Sequence, residues 1–185
     1  MQSIDPSVFV AKSAALFGKI AIGAESSIWF NAVIRCECQH VQIGRYSNLQ
    51  DFSMVHVGYD DPTIIGDFCS IAHRATVHGA TIEDDCLIGI GATIMDGAVI
   101  GAGSIVGCGA VVTEGSAFPP ESIILGAPAK LVRQRDNRHA NRLNAWLYHR
   151  NAQAYLRGDH RAWDGEEYER FRREKQREIE ADQDR

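Results

Sequence analysis

His56, His73 and His78 are the residues whose type and spacing could do chemistry. A neutral imidazole nitrogen carries a lone pair that zinc and similar ions take at about 2.0–2.1 Å. His56 and His78 directly follow the aliphatics Val55 and Val77, whereas His73 stands two places after Ile71. Arg35 directly follows Ile34, and Asp51 stands two places after Leu49. The polar residues therefore sort into two register classes. Arg35, His56 and His78 share one, and Asp51 and His73 share the other. The chemistry such a set could support is metal binding, with an arginine–carboxylate pair beside it.

The elements that must position these side chains are written in a six-residue beat. Aliphatics recur at Ile4, Val10, Leu16, Ile22, Ile28 and Ile34, then at Ile43, Leu49 and Val55, and at Ile65, Ile71 and Val77. After one five-residue step the beat continues through Ile82, Ile88, Ile94, Ile100, Val106 and Val112. A period this long is the mark of a repeat architecture. A small residue four places after the aliphatic (Ser26, Ser53, Ala75, Ala110) fits inward where a large one would not. No single unit can bury an apolar face alone, so stacking must supply the core. This pattern resembles the hexapeptide-repeat proteins over about residues 4–130. That resemblance implies a triangular, left-handed parallel β-helix with three hexads per turn.

On three repeats per turn, Arg35, His56 and His78 stack on one corner of successive coils. Asp51 and His73 form a second column one corner away. His56 and His78 can chelate together, but His73 faces elsewhere. A neighbouring subunit solves this: the first column of one chain faces the second column of the next, and a ring of three closes the arrangement. The ring also places Arg35 opposite Asp51 of the neighbour, as a bidentate pair. The expected assembly is a homotrimer with shared metal sites.

Asn31-Ala32-Val33-Ile34-Arg35, Ile43-Gly44, Asn48-Leu49-Gln50-Asp51, His56, His73 and His78 together resemble the γ-class carbonic anhydrases and their relatives. The resemblance implies trimers with a metal at each subunit interface, held by two histidines of one chain and one of the next. It implies that His56, His73 and His78 are the ligands and that the fourth position holds water. Such an ion lowers the pKa of bound water to about 7. Gln50 would orient the resulting hydroxide, Asn48 would hold Gln50, and Arg35 and Asp51 would pair between subunits. Tyr155, in Asn151-Ala152-Gln153-Ala154-Tyr155, is similar to a helix tyrosine that reaches toward the site. The implied reaction is reversible hydration of carbon dioxide to bicarbonate. Zn2+ is the expected cofactor, with Fe2+ or Co2+ as alternatives. Two departures stand out. The family reads Arg-Gly-Asp where this chain has Arg35-Cys36-Glu37, and the segment 57–64 after His56 carries no glutamate to shuttle protons.

Other readings compete. The same ligand set could serve a metal-dependent acyl-CoA thioesterase. Gly126-Ala127-Pro128-Ala129-Lys130-Leu131 fits an acyltransferase of the wider hexapeptide class. A non-catalytic trimeric metal-binding scaffold is the non-enzyme reading.

Composition sets the remaining bounds. The 185 residues carry a net charge of −5 and only 8% aromatics, which suits a narrow solenoid core. Residues 1–130 hold 6 Lys/Arg against 13 Asp/Glu, a net of −7; residues 131–185 hold 13 against 11, a net of +2. Neither half is a basic nucleic-acid footprint. No run approaches the ~20 apolar residues of a membrane span. The opening MQSIDPSVFV does not read as a signal peptide. The five cysteines form no paired framework, and Cys69 and Cys86 read as small residues on one inward column. A small-molecule substrate, no nucleic acid, no membrane and a reduced, cytoplasmic setting are expected. The chain divides into a β-helix over residues 1–130 and a helical appendage over 131–185. An amphipathic helix is expected from Leu131 to Leu156, a break at Gly158-Asp159, and a second, solvated helix from Asp164 to about Asp182.

Overall fold

A computed structural model describes residues 2–183; residues 1, 184 and 185, at the ends of the two expected domains, lie outside the described residues. The chain winds into a parallel β-solenoid of about seven turns, mainly β, followed by two helices. The expected hexapeptide β-helix is what the chain forms. Its three faces follow the beat in the sequence. Face A stacks Ile34, Val55, Val77, Ile94 and Val112 in parallel register. Face B stacks Ile4, Ile22, Ile43, Ile65, Ile82, Ile100 and Phe118. Face C stacks Val10, Ile28, Leu49, Ile71, Ile88, Val106 and Ile124. The strand Val33–Ile43 runs from face A into face B, pairing with Met54–His56 at one end and Thr63–Ile65 at the other.

From Ile22 on, the aliphatics of the beat point inward and are shielded from water, whereas Val10 of the first coil is exposed; Ile28, Ile34, Leu49, Ile71, Ile88 and Ile94 are fully buried. Ser26, Ser53, Ala75 and Ala110 are buried with them, as their size requires. One interior corner is a column of small polar groups. Ser26 donates to the Gly44 carbonyl and Ser47 to the Gly66 carbonyl, each at 2.7 Å. Cys69 and Cys86 continue that column, with Cys69 Sγ at 3.0 Å from the Glu83 carbonyl and Cys86 Sγ at 3.3 Å from the Gly101 carbonyl. Both are free thiols, and burial pushes that of Cys69 well up.

The turns between faces use left-handed backbone even at non-glycine residues, including Glu25, Tyr46, Phe68, Asp85 and Glu121 at one corner. That conformation costs an L-residue roughly 1–2 kcal/mol. Each of these corner amides from Tyr46 on donates to a carbonyl of the coil below, such as Tyr46 to Ala24 at 3.0 Å and Phe68 to Arg45 at 2.9 Å. At Gly79, φ is +57° and a Cβ would meet the Asp96 carboxylate and lie 2.9 Å from the Gly58 backbone nitrogen, so a side chain has no room there.

The expected helix start at Leu131 is corrected. Ala129–Gln134 is instead a strand, antiparallel to Ser122–Gly126, and caps the last coil. Pairing with the exposed edge of face C satisfies a row of backbone groups that a helix would have left open. Helix α1 then spans Arg138–Leu156 and α2 spans Gly165–Gln183, with Gly158 (φ 77°) in the break between them.

Helix α1 straps one corner of the prism. Arg138 pairs with Glu121 at 2.9 Å, and Arg142 grips Asp85 in a bidentate pair at 2.8 and 2.6 Å. Trp146 packs on Tyr46 and Phe68, and His149 meets Tyr46 and Glu25. Phe9, Trp29, Tyr148 and Ala152 form a second buried cluster beneath the helix. Helix α2 is less solvated than its charges imply. Lys175 sits over Trp146 at 4.3 Å, and Ile179 is buried. No helix among the described residues is long and apolar enough to cross a membrane.

Candidate functional site

Strand register places Arg35, His56 and His78 side by side on successive coils of face A. His56 Nδ1 and His78 Nε2 face each other at 2.9 Å. Each ring spends its other nitrogen on a carboxylate: His56 Nε2 meets Glu37 Oε2 at 2.9 Å, and His78 Nδ1 meets Asp96. A carboxylate accepts a proton-bearing nitrogen, which fixes both rings with the N–H pointing outward. With both rings neutral, two bare nitrogens are then turned toward one another. That contact repels unless a proton or a cation lies between them. Chelation at about 2.0–2.1 Å per bond and tetrahedral angles needs nitrogens about 3.3 Å apart. The pair is within a few tenths of an ångström of that spacing. The donor set therefore fits a divalent metal, and carboxylates that orient ligating histidines are the usual support for one.

Burial, then the charges of Arg35 and His78, pull the His56 pKa down, opposed by Asp96. The ring thus favours its neutral, ligating form. Glu37 accepts from both Arg35 and His56, so the arginine lies across the edge of the site, with about half of its side chain exposed.

His73 lies on the turn after face C. Its Nδ1 is 3.0 Å from Asp51 Oδ2, the column mate expected for it. Its Nε2 meets the Tyr148 hydroxyl at 3.4 Å. All three histidines thus share one plan: one nitrogen rests on a carboxylate and the other is turned away from it. Among the described residues of a single chain, no three His, Cys, Asp or Glu side chains gather into a ligand group. His56 and His78 come together, and His73 stands apart around the corner.

Gln50 and Asn48 sit on face C beneath α1, both almost fully buried. Gln50 Nε2 donates to Asn48 Oδ1 at 3.0 Å. Nothing among the described residues donates to Gln50 Oε1, which is left as an open acceptor. Asp51, next in the chain, holds His73.

Tyr155 is placed elsewhere. Its ring packs among Phe9, Trp29, Phe30 and His160. The helix tyrosine that meets a site histidine is Tyr148, two helical turns earlier, and the sequence reading missed it. Burial, and secondarily the Asp51 charge, push the Tyr148 pKa up to about 12, so it stays a proton donor. Asp96 was also missed. Both tyrosines lie on the apolar stripe of α1, and only the docked helix tells them apart. Asp96 stands two places after Ile94, which stacks on Val77, so the register set it one coil from His78 without showing their contact.

Comparison with known proteins agrees with the architecture and narrows its class. Residues 79–114 match the family model described as Bacterial transferase hexapeptide (six repeats). Over 131 residues the chain is 54% identical to the "Probable carbonic anhydrase" of Methanocaldococcus jannaschii, covering 71% of this chain and 82% of that protein. It is 33% identical over 137 residues to Gamma carbonic anhydrase 2, mitochondrial, of Arabidopsis thaliana, covering 71% of this chain and 49% of the plant protein. Among solved structures, a hexapeptide transferase family protein from Anaplasma phagocytophilum superimposes with a TM-score of 0.80 at 30% identity, covering 84% of this chain and 93% of that one.

Proposed function

The chain belongs to the γ-class carbonic anhydrase family, and from that premise we propose that it catalyses reversible hydration of carbon dioxide at a metal site closed between two copies of the chain. The observation that carries this reading is the pair of facing nitrogens on His56 and His78, 2.9 Å apart and each ring backed by a carboxylate. A chelate of two imidazoles needs a third ligand, and the Nε2 of His73 from a neighbouring copy, held in its own chain only by a long contact with Tyr148, supplies one. A divalent ion held by three neutral imidazoles would bring the pKa of a water near 7.

The chain's own groups do the rest. Gln50 Oε1 can accept an O–H but donate nothing, so it orients a water with its lone pairs turned away, toward the carbon under attack. Asn48 holds that amide. Tyr148, protonated at every physiological pH, can donate to the anionic product beside His73. Glu37 steadies both His56 and Arg35.

Assembly into a trimer is supported by what surrounds the two columns. Phe17 pairs in register with Arg35, Phe30 and Ile90 lie in the column of Asp51 and His73, and Phe52 follows Asp51. All four are exposed in the single chain, Phe17 and Phe52 to 61%. Apolar side chains clustered around polar columns mark a contact surface. We infer zinc as the metal as purified, since imidazole suits it, and a cytoplasmic setting.

The test is metal content and carbon dioxide hydration on one sample, for the native chain and Gln50→Ala. One metal per chain, with hydration that falls in the variant, is the expected result. Full metal loading without hydration above background in either protein would sink the reading. A panel of acyl thioesters would then show whether the same site releases a free thiol.

A further inference from the structure

Gln50 is useful as a pure acceptor only if its amide cannot turn over, and the groups that hold it extend beyond Asn48. Asn48 Nδ2 reaches the Cys69 carbonyl at 3.4 Å and donates to Ser70 Oγ at 2.9 Å. A backbone carbonyl can only accept, so the nitrogen of Asn48 must face that side. Its oxygen is thereby turned to Gln50, which must answer with Nε2. The Cys69 contact is long, and the closer restraint is Ser70 Oγ. That hydroxyl is almost fully buried and receives a second donor, Asn144 Nδ2 of helix α1, also at 2.9 Å. A serine hydroxyl turns about one torsion between three staggered positions. Two amide donors converging on it from different elements hold it in the one that serves Asn48.

We propose that Ser70 and Asn144 are positioning residues for Gln50: together they pin Asn48, and through it fix the Gln50 amide with Oε1 as its open end. This rests on the hydration reading above for its catalytic consequence, though not for the hydrogen-bond chain itself. Helix α1 therefore does two things to the site within about one turn. Asn144 sets the amide that receives a water's O–H, and Tyr148, four residues on, touches His73. Seating the helix and orienting the site are one event.

The experiment compares native protein with Ser70→Ala, Asn144→Ala and Ser70→Thr, each also in a Gln50→Ala background. Two readouts are taken on the assembled, metal-loaded protein. The first is hydrogen exchange of the Gln50 side-chain amide by NMR, assigned through its disappearance in Gln50→Ala. Faster exchange is expected in Ser70→Ala and Asn144→Ala and near-native exchange in Ser70→Thr, which keeps the hydroxyl. The second is hydration kinetics: kcat should fall about tenfold or more in the two alanine variants, the scale of lost outer-shell support, with KM and metal content held. In the Gln50→Ala background the same changes should add little, because residues acting through one group do not act additively. Unchanged Gln50 exchange in both alanine variants would overturn the proposal, as would full additivity with Gln50→Ala. If native protein shows no hydration, the function reading fails, while the exchange measurement still decides the coupling.

Discussion

At the scale of residues, the site is built from pairs. Glu37 and Asp96 do not touch a reacting atom, yet each decides which nitrogen of its histidine carries the proton. Glu37→Gln and Asp96→Asn should each weaken metal binding about 10–100-fold, measured by competition with a chromogenic chelator. Native affinity in both would remove the carboxylates from the account. Tyr148→Phe should lower hydration several-fold while metal content holds. Tyr155→Phe should be close to neutral, because that ring works through edge-on packing with Trp29 and Phe9. Equal losses in the two variants would contradict these placements. The three histidines were legible in the sequence because a six-residue period converts position into place. Their carboxylate partners were less so. Glu37 stood out as a departure from the family's pattern, but its hold on His56 depends on how a longer side chain folds back, which no spacing encodes.

At the scale of elements, helix α1 is the part that sequence rules described least well. Its apolar stripe was visible, but its start was expected seven residues too early, at Leu131 rather than Arg138. The run Ala129–Gln134 holds no helix breaker, and pairing with Ser122–Gly126 at the edge of face C makes it a strand. Of the carboxylates that pair with α1 on the prism, Asp85 is the most buried. Asp85 is almost fully buried and Arg142 covers it with two hydrogen bonds. Arg142→Ala strands that carboxylate and should cost about 3 kcal/mol, read by urea denaturation. His149 gives the helix a pH dependence. Burial depresses its pKa below 6.5, against the opposing pull of Glu25. A histidine depressed in the folded state contributes stability that is present above its unfolded pKa and lost as pH falls. The metal-free protein should therefore lose thermal stability as pH drops below about 6.5. His149→Gln should flatten that slope, and an unchanged slope would assign the effect elsewhere.

At the scale of the whole molecule, assembly completes what one chain leaves open. Light scattering should give the mass of a trimer, and Arg35→Ala with Asp51→Ala should shift it toward the monomer along with loss of metal. A native monomer that holds one metal would contradict the shared site. The β-helix itself was legible almost coil by coil, since each aliphatic of the beat found its register partner. A plain solenoid couples each repeat only to its neighbours. Here α1 touches the coils of Glu121, Asp85, Phe68, Tyr46 and Glu25 in turn. That strap also acts as a ruler. Arg138, Arg142, Trp146 and His149 stand four, four and three residues apart, close to the helical turn of about 3.6, so one face of the helix makes every contact. One coil more or fewer beneath α1 would displace every partner beyond it by about 4.8 Å, or about 3.2 residues of helix. Those partners would then fall out of step with the contacting face, so the helix admits one height of prism and no other.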